Sequence, residues 1–449
     1  MYDLMVIGAG PGGYEAAAYA ARHFQKKVVL FEKGELGGTC LNVGCIPAKT
    51  FIRSLKSLED CHSAASYGIK ADANATLDMA AVQARKQKVV SQLTKGVAAM
   101  EKGAGVEVVK AAARILAPGK IEADGKTYEG ANILIATGSV PACPHIPGLR
   151  DNPFVLDSTG ILALDKLPKA LVIIGGGVIG LEFASFFQGA GCQVTIVEMM
   201  PKIAPVVDDE IGQILTKELT RAGIKINVNC KVVKIEGSTL FYLDPEGKEQ
   251  KVTGDYVLNS TGRRPVTQGL GLEELKMDIG RKGIVTDEFG RTSVSGIWAC
   301  GDVTGRCLLA HAATREGMVA VNNMFGNPDR MSYKAIPSVI FTHPEVAQVG
   351  ATEQELKAKG IAYRKTVQPM AMAGRFLVDY AGKNGTVKVL VSEKYGQILG
   401  VHAIGGCAGE FICAASAMVE QEMTVDTVQR IVFPHPTVSE SIREAILHA

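Results

Sequence analysis

Residues 3–33, DLMVIGAGPGGYEAAAYAARHFQKKVVLFEK, contain the pattern that decides the fold of this chain. An apolar run enters a glycine turn with the spacing G-x-G-x-x-G at Gly8, Gly10 and Gly13, and a helix rich in small residues follows. A second apolar run then ends at Glu32. The first glycine permits a tight turn, the second permits close approach of a pyrophosphate, and the third permits the helix to pack on the strand. The stretch therefore predicts a βαβ unit that binds a dinucleotide.

The same pattern returns at residues 169–199, KALVIIGGGVIGLEFASFFQGAGCQVTIVEM. Its glycines are Gly175, Gly177 and Gly180, and its second apolar run ends at Glu198. One copy alone would leave a purely structural glycine turn open, but two complete copies favour two dinucleotide sites. A terminal acid accepts from ribose hydroxyls and repels a 2′-phosphate, and no arginine directly follows Glu198, which favours NAD over NADP.

Two dinucleotide sites suit a protein that passes hydride between a flavin and a nicotinamide. Two further apolar strands run into glycine turns, ILIATGS with Gly138 and LNSTGRRP with Gly262. The stretch TSVSGIWACGD places Asp302 at a strand end, where an acid can hold a ribityl chain or phosphate. Taken alone, an acid at this position is more often a turn or helix-cap residue.

Length and composition limit the other functions of the chain. A chain of 449 residues is expected to form several domains, and 47% apolar with 21% charged residues is typical of a soluble globular protein. The net charge of +2 does not indicate the basic surface that binds nucleic acid. No uncharged apolar run is long enough to predict a membrane span. The N-terminus has no basic region of a secretory signal, so we expect a cytoplasmic protein, or a mitochondrial matrix protein whose transit peptide was removed.

A pair of cysteines, Cys40 and Cys45, lies in the stretch GGTCLNVGCIPAK. The pair could be two buried small hydrophobic residues, half of a metal site, or a redox pair. Five residues of regular helix rise about 7.5 Å, which exceeds the roughly 7 Å between the Cα atoms of a disulfide. A disulfide therefore requires an interrupted helix, which Asn42, Gly44 and Pro47 permit. No second Cys or His pair lies nearby, so the redox pair is favoured over the metal site.

The chain changes character after Ile336, where no further nucleotide motif occurs. The stretches PSVIFTHPEVAQVG and GTVKVLVSEKYGQILGVHAIG indicate strands, and GEFICAASAMVEQEM indicates a helix. We expect a separate α+β domain with a mixed sheet, with its helices on one side, that serves in dimerisation.

Taken in order, GAGPGG, GGTCLNVGCIPAK, GGGVIGLEF, WACGD, FTHPEVAQVG and HPTVSE span nearly the whole chain. Together they resemble the flavin-dependent pyridine nucleotide–disulfide oxidoreductases, and within them the dihydrolipoamide dehydrogenase group. The resemblance implies an α/β protein with two Rossmann-like dinucleotide-binding domains and a C-terminal α+β dimerisation domain, with FAD and NAD as cofactors. We expect an FAD-binding domain at 1–142, an NAD-binding domain at 143–265, a central domain completing the FAD site at 266–334, and a dimerisation domain at 335–449.

The resemblance also implies roles for individual residues. Cys40 matches the thiol that exchanges with the lipoyl disulfide, and Cys45 matches the thiol beside the flavin. Lys49 matches the lysine near the flavin ring, and Glu182 matches its acidic partner. His311 is expected near the flavin, although by itself it would be read as a packed core histidine.

His435 matches the catalytic base, supplied by the partner subunit of a homodimer, and Glu440 matches the residue that orients it. An imidazole is suited to take a proton from a thiol near neutral pH. The stretch TVSE has a second interpretation, in which Thr437 caps a helix and Glu440 completes a capping box. The chain departs from the family pattern at Phe433 and Pro434, where His-Ala is usual, and this change alters the approach to the base. It also departs at the alanine after His311, where lysine is common, and this change bears on the flavin potential.

The activity implied is oxidation of protein-bound dihydrolipoamide with reduction of NAD, within 2-oxoacid dehydrogenase or glycine cleavage complexes. The partners implied are lipoyl domains and peripheral-subunit-binding domains, with no nucleic acid or membrane. The chain ends in REAILHA, so we do not expect the C-terminal cysteine pairs of mercuric reductase and large thioredoxin reductase. Another NAD(P)H-dependent flavin disulfide reductase and a non-catalytic structural flavoprotein are the alternatives.

Overall fold

The computed structural model describes residues 1–72 and 74–449. The helices of these residues are α1 (Pro11–His23), α2 (Gly38–Val43), α3 (Cys45–Ser63), α4 (Met79–Ala104), α5 (Val178–Gly189), α6 (Asp209–Arg221), α7 (Ala310–Met324), α8 (Glu353–Ala358), α9 (Gly374–Asp379), α10 (Ala408–Glu420), α11 (Val425–Gln429) and α12 (Glu440–Leu447). Short 3₁₀ turns occur at Ala64–Tyr67, Ile161–Ala163, Gly301–Thr304 and Met370–Met372.

The strands are β1 (Tyr2–Ile7), β2 (Val28–Phe31), β3 (Glu107–Val109), β4 (Ala113–Ala117), β5 (Lys120–Ala123), β6 (Lys126–Ile135), β7 (Ser139–Pro141), β8 (Val155–Leu156), β9 (Ala170–Ile174), β10 (Gln193–Val197), β11 (Lys225–Asn227), β12 (Lys231–Glu236), β13 (Thr239–Leu243), β14 (Glu249–Thr253), β15 (Tyr256–Asn259), β16 (Arg263–Pro265), β17 (Ile279–Gly280), β18 (Gly283–Ile284), β19 (Ile297–Ala299), β20 (Ser338–Ile340), β21 (Val346–Gly350), β22 (Tyr363–Pro369), β23 (Thr386–Ser392) and β24 (Ile398–Ile404).

The described chain forms two compact units. The first comprises 1–50, 80–142 and 262–332, and the second comprises 51–79, 143–261 and 333–449. The division into four functional domains that the sequence suggests stays a prediction.

The first unit is built on a sheet with the strand order β3-β2-β1-β6-β5-β4, with β19 also paired to β6. Strand β1 pairs in parallel with β2 and β6, and β19 pairs in parallel with β6. The apolar run of β1 is fully buried at Leu4, Met5 and Val6, as expected for a strand inside a parallel sheet. The first predicted βαβ unit is thereby confirmed, with α1 as its crossover helix.

Helices α1 and α7 approach closely within this unit because small residues face each other. A Cβ atom on Gly317 would lie 2.6 Å from the carbonyl oxygen of Gly12. A larger residue at either position would push the helices apart, so these two glycines set the spacing between α1 and α7.

The second unit contains a parallel sheet with the order β11-β10-β9-β15-β8. Strand β9 pairs in parallel with β10 and β15, and helix α5 packs on both β9 and β10. This arrangement is the second predicted βαβ unit, and the expected α/β class with two such units is confirmed.

The C-terminal part of the second unit is a five-stranded sheet with the order β20-β21-β24-β23-β22. All four pairings in it are antiparallel, so the expectation of a mixed sheet was wrong. Neighbours such as β23 and β24 are joined by the short connection 393–397, and a connection this short reverses the chain direction. Helix α10 packs on β21 and β24, and α12 packs on β22 and β23, which completes the expected α+β domain.

Candidate active site

The two close cysteines lie on different helices. Helix α2 ends at Val43, Gly44 departs from helical geometry with φ −140° and ψ −113°, and α3 begins at Cys45. A Cβ atom on Gly44 would lie 2.8 Å from the carbonyl oxygen of Thr39, so the interruption depends on glycine. The helix break that the sequence predicts between Cys40 and Cys45 is therefore present.

The thiols of Cys40 and Cys45 interact, and they differ in environment. Cys40 is half-buried and Cys45 is exposed. The hydrogen bond with Cys45, together with burial, raises the pKa of the Cys40 thiol well above its usual range, whereas the Lys49 ammonium acts in the opposite direction. The two thiols are therefore not equivalent, because burial and the contact with Cys45 disfavour the thiolate of Cys40.

In the first glycine turn, two glycines are required by close protein packing, and the third faces open space. Gly8 has φ +100°, and a Cβ atom there would lie 2.4 Å from the oxygen of Ala136. A Cβ atom on Gly13 would lie 1.9 Å from the oxygen of Gly8. By contrast, a Cβ atom on Gly10 would meet only the Cα atom of Gly38, at 4.0 Å. The protein itself leaves the surface in front of Gly10 clear.

The second glycine turn repeats this division. Gly175 has φ +102°, and a Cβ atom there would lie 2.7 Å from the oxygen of Ser260. A Cβ atom on Gly180 would lie 2.3 Å from the oxygen of Gly175, whereas one on Gly177 would have no atom within 4 Å. The middle glycine is again the one that protein packing does not explain, and the space in front of it is open to a bound group.

The first terminal acid is tied to its glycine turn by backbone hydrogen bonds. Glu32 accepts from the N–H of Ala9 at 2.8 Å and from the N–H of Gly34 at 2.7 Å. These bonds hold the carboxylate between the glycine turn and the loop that follows β2. An ionised carboxylate has about four lone-pair sites, so Glu32 retains acceptor capacity for ribose hydroxyls.

The second terminal acid makes the equivalent pair of bonds. Glu198 is buried and accepts from the N–H of Gly176 at 2.5 Å and from the N–H of Met200 at 2.6 Å. The internal repeat therefore extends from the sequence pattern to the hydrogen bonds that hold each acid against its turn.

Helices α1 and α5 both begin at these turns, and no side chain caps their N-termini. Their N-cap residues are Gly10 and Gly177, and neither helix has a side-chain cap. The uncapped N–H groups and the helix dipole favour an anion. With the open space at the middle glycines, the residues present fit a dinucleotide pyrophosphate at each turn.

The three shorter motifs meet in the first unit. Strand β7 pairs with β16, which brings Ser139 opposite Pro265. The hydroxyl of Ser139 donates to Oδ2 of Asp302 at 2.5 Å, and Nε of Arg263 donates to the same hydroxyl at 2.7 Å. Gly138 and Gly262 lie beside these residues, so the stretches ATGS, TGRRP and CGD form one polar cluster.

Asp302 is a turn residue, which is one of the two roles that the sequence suggests. It lies in the 3₁₀ turn Gly301–Thr304, and its carboxylate is 3.8 Å from the guanidinium of Arg263. Its role in holding a ribityl chain or phosphate stays a prediction.

Sequence reasoning missed Ser139, Arg263 and Glu316. Glu316 is buried on α7, and its Oε2 atom accepts from the N–H of Gly301 at 2.6 Å. This bond holds the turn that presents Asp302. A glutamate in the stretch ATREG carries no local signal of burial, whereas Ser139 and Arg263 lie inside quoted motifs and could have been proposed from them.

Glu182 and Lys49 lie in different units. Glu182 is buried on α5, and its Oε1 atom accepts from the N–H of Phe341 at 3.0 Å. Lys49 lies on α3, four residues after that helix begins at Cys45, and its ammonium opposes the rise in the pKa of the Cys40 thiol. The pairing of Lys49 with Glu182 stays a prediction.

His435 and Glu440 are in direct contact. Nδ1 of His435 lies 3.0 Å from Oε1 and 3.2 Å from Oε2 of Glu440. The N–H of Thr437 donates to Glu440 at 3.0 Å, and this bond, followed by the one from His435, lowers the pKa of the carboxyl group. The imidazole is 78% exposed, so Nε2 is accessible from outside the protomer.

The capping interpretation of TVSE is wrong in its main part. Helix α12 begins at Glu440 with Ser439 as its N-cap residue, and the hydroxyl of Thr437 donates to the oxygen of Pro434 at 2.8 Å. Only the bond from the Thr437 N–H to Glu440 remains of the expected box, because two further residues separate Thr437 from the helix start.

His311 is exposed in the first turn of α7, so its interpretation as a packed core histidine was wrong. Leu309 forms the N-cap of this helix, and the imidazole of His311 lies at the surface of the described chain.

Residues 2–317 match the family described as pyridine nucleotide-disulphide oxidoreductase, and residues 336–446 match its dimerisation domain. The chain belongs to the pyridine nucleotide-disulphide oxidoreductase family. The resemblance drawn from the motifs is confirmed, and the chain is an oxidoreductase that uses FAD and NAD(H).

Named relatives of full length place the chain within this family. It is 39% identical over 448 residues to a dihydrolipoyl dehydrogenase of Mycoplasma genitalium, covering 99% of this chain and 97% of the relative. It is 37% identical over 451 residues to a dihydrolipoyl dehydrogenase of Bacillus subtilis, covering 99% and 98%. The solved structure of LpdA from Mycobacterium tuberculosis has a TM-score of 0.91 at 26% identity and covers 99% of both chains.

The family's two cofactors agree with the two glycine turns described above, which have the open middle glycine and uncapped helix that a pyrophosphate needs. Among residues 1–72 and 74–449, helices long and apolar enough to traverse a bilayer are absent.

Proposed function

We propose that this chain is a dihydrolipoyl dehydrogenase, which oxidises protein-bound dihydrolipoamide to lipoamide and reduces NAD to NADH. The observation that carries the proposal is the pair Cys40 and Cys45, held at a helix break with their thiols in contact. Full-length relatives with this name and 37–39% identity support the choice of substrate.

The proposed exchange starts from a Cys40–Cys45 disulfide. One deprotonated sulfur of dihydrolipoamide attacks Sγ of Cys40, the bond between the cysteines breaks, and its electron pair leaves on Cys45. The second lipoyl sulfur, deprotonated in turn, attacks the first and releases Cys40, which takes up a proton. The lipoyl group has then lost two electrons and two protons, and the cysteine pair is reduced.

The reduced pair is suited to its roles by the asymmetry of the two thiols. Cys40 retains the proton, because burial and the contact with Cys45 disfavour its thiolate. FAD, when bound, carries the two electrons from the pair to NAD. Lys49 and Glu182 are proposed as the charged residues that adjoin the flavin, with Gly8, Gly10, Gly13, Glu32, Gly138, Asp302, Gly262 and His311 as further residues of the FAD site.

His435 is the proposed base for the substrate thiols. Its Nδ1 atom is engaged by Glu440, so Nε2 faces outward and is available for the proton of a thiol. Thiolate is the nucleophile in thiol–disulfide exchange, and an imidazole raises its concentration near neutral pH. We propose that the site receives His435 from the second subunit of a homodimer formed through the dimerisation domain.

The second glycine turn, with Gly175, Gly177, Gly180 and Glu198, is the proposed NAD site. The buried carboxylate of Glu198 favours ribose hydroxyls and repels a 2′-phosphate, which supports NAD over NADP. We propose the lipoyl domains and peripheral-subunit-binding domains of 2-oxoacid dehydrogenase or glycine cleavage complexes as partners, in the cytoplasm or the mitochondrial matrix.

The deciding experiment measures NADH formation by the purified, FAD-loaded protein with NAD and dihydrolipoamide. Turnover with these substrates is expected. A protein that reduces a different disulfide and leaves dihydrolipoamide unused would be another reductase of the family. A protein that binds FAD but turns over neither would be a non-catalytic flavoprotein.

A further inference from the structure

A buried lysine outside the reacting groups lies at the centre of a charged cluster in the second unit. Lys388 on β23 has a side chain only 1% exposed, and its Nζ atom is 2.8 Å from Asp208, 2.5 Å from Glu353 and 3.1 Å from Glu210. Burial opposes the charged ammonium, but the hydrogen bonds with Asp208 and Glu353 keep the pKa of Lys388 above its usual value. Lys388 is therefore charged, and the carboxylates around it balance its buried charge.

Asp208 links this cluster to the second glycine turn. It is fully buried, caps α6 by accepting from the N–H of Glu210 at 3.1 Å, and accepts from the N–H of Glu353 at 3.0 Å. Asp208 is also the last residue of the 199–208 segment, which begins immediately after Glu198.

Two amides from the C-terminal part of the unit hold the same segment. Nε2 of Gln348 donates to the oxygen of Val206 at 2.9 Å, and Nε2 of Gln354 donates to the oxygen of Val207 at 3.1 Å. Together with Lys388, these side chains hold the end of the 199–208 segment against the C-terminal part of the unit.

The middle of the 199–208 segment rests on the glycine turn itself. The N–H of Ala204 donates to the oxygen of Gly176 at 2.8 Å, and Ile203 packs where a Cβ atom on Gly176 would lie 2.7 Å away. Ala204 has φ +47°, a region that residues with a side chain seldom adopt, so the segment must be held by its surroundings. Gly176 also donates to Glu198, so movement of the segment would shift the acid and the turn together.

We propose that Lys388 is a positioning residue for NAD(H), which acts through Asp208 to hold the 199–208 segment against the second glycine turn. Gln348 and Gln354 support the same segment. The inference rests on the proposed assignment of NAD(H) to this turn, and it adds a contribution from the C-terminal domain that the βαβ unit alone does not contain.

The test compares NADH dissociation constants of FAD-loaded variants by fluorescence titration, below the melting temperature of each. Lys388→Met should raise the constant about tenfold. Gln354→Met removes the hydrogen bond to the oxygen of Val207 and the one from the N–H of Asp209 without stranding a buried charge, and it should raise the constant about threefold. The KM for dihydrolipoamide and the FAD content should be unchanged in both, which a general loss of structure would not produce.

Lys365→Met is the matched control, because Lys365 contacts Glu210 and Glu353 from the surface but does not contact Asp208. It should leave NADH binding unchanged. NADH constants within twofold of the parent in folded Lys388→Met and Gln354→Met would overturn the proposal, whatever their melting temperatures. If Lys388→Met does not fold, Gln354→Met decides alone.

Gly177→Ala separates this proposal from the assignment of the site. A Cβ atom on Gly177 meets no protein atom within 4 Å, so the variant should fold as the parent does and lose NADH affinity. Unchanged NADH binding by Gly177→Ala would refute the site assignment, and with it the positioning role. Loss of binding in Gly177→Ala with normal binding in the Lys388 and Gln354 variants would refute the positioning role alone.

Discussion

Nδ1 of His435 lies 3.0 Å from Oε1 of Glu440, although Glu440 is the first residue of α12 and His435 precedes that helix. The carboxylate thus joins the exposed imidazole to a helix whose Ile442 and Ile446 are fully buried. The contact gives an exposed side chain a fixed orientation, which a general base requires.

Replacement of His435 by Gln should lower the rate of dihydrolipoamide oxidation by about 10² to 10⁴. The amide cannot take the thiol proton, whereas FAD content should not change. Steady-state rates and flavin absorbance check this expectation. His62→Gln is the matched control, because His62 is exposed near the end of α3 and its imidazole bonds to the oxygen of Ala75. A normal rate for His435→Gln would remove this residue from the reaction.

Replacement of either Cys40 or Cys45 by Ser should abolish dihydrolipoamide oxidation, because a single thiol cannot form the disulfide that accepts the electrons. Both variants should still transfer electrons from NADH to an artificial dye, since that reaction needs the flavin but not the cysteine pair. Cys143→Ser serves as a control at an exposed cysteine. Dihydrolipoamide turnover in either active-site variant would contradict the proposed exchange.

Replacement of Glu198 by Ala should lower kcat/KM for NAD by about tenfold or more, because the ribose loses an acceptor and the N–H groups of Gly176 and Met200 each lose a hydrogen bond. The preference for NAD over NADP should fall as the repulsion of a 2′-phosphate is removed. Rates with the two nucleotides provide the measurement, and Glu246→Ala in the exposed turn after β13 provides the control. Unchanged selectivity would show that Glu198 does not contact the ribose.

Replacement of Glu101 by Gln should stabilise the protein at pH 8 by about 4 kcal/mol and leave it nearly unchanged near pH 4.5. Glu101 is fully buried, and neither carboxylate oxygen has a hydrogen-bond partner in the described residues. Burial, followed by the charge of Glu15, raises the pKa of this carboxyl group to about 8, and Arg22 only partly opposes the shift.

The sign of this effect follows from the raised pKa. Between about pH 4.5 and 8 the unfolded chain loses the proton of Glu101 while the folded chain keeps it, so the free energy of unfolding falls as pH rises. Denaturant unfolding at pH 5, 6.5 and 8 measures the trend, with exposed Glu122→Gln as the control. A parent-to-variant difference that does not grow with pH would contradict it.

The glycine turns and the break between the cysteines were predictable from the sequence. A side chain at Gly8, Gly13 or Gly44 would clash with backbone atoms of the same turn or of an adjoining strand, so each position requires glycine. Glu32 follows the first turn at the distance set by one helix and one strand. Such constraints are local, because they depend on the φ angle and on the volume of one residue. For the same reason, the residue positions of the two βαβ units and of their terminal acids could be predicted from the sequence.

The tertiary structure alone decided which distant residues meet. The contacts of Ser139 with Arg263, of Gly301 with Glu316, and of Lys388 with Asp208 join positions far apart in the chain. No local pattern marks a glutamate or lysine as buried, since the same residue types usually face solvent. Burial and pairing of these groups depend on how strands and helices pack, and packing is a property of the folded chain rather than of any one stretch.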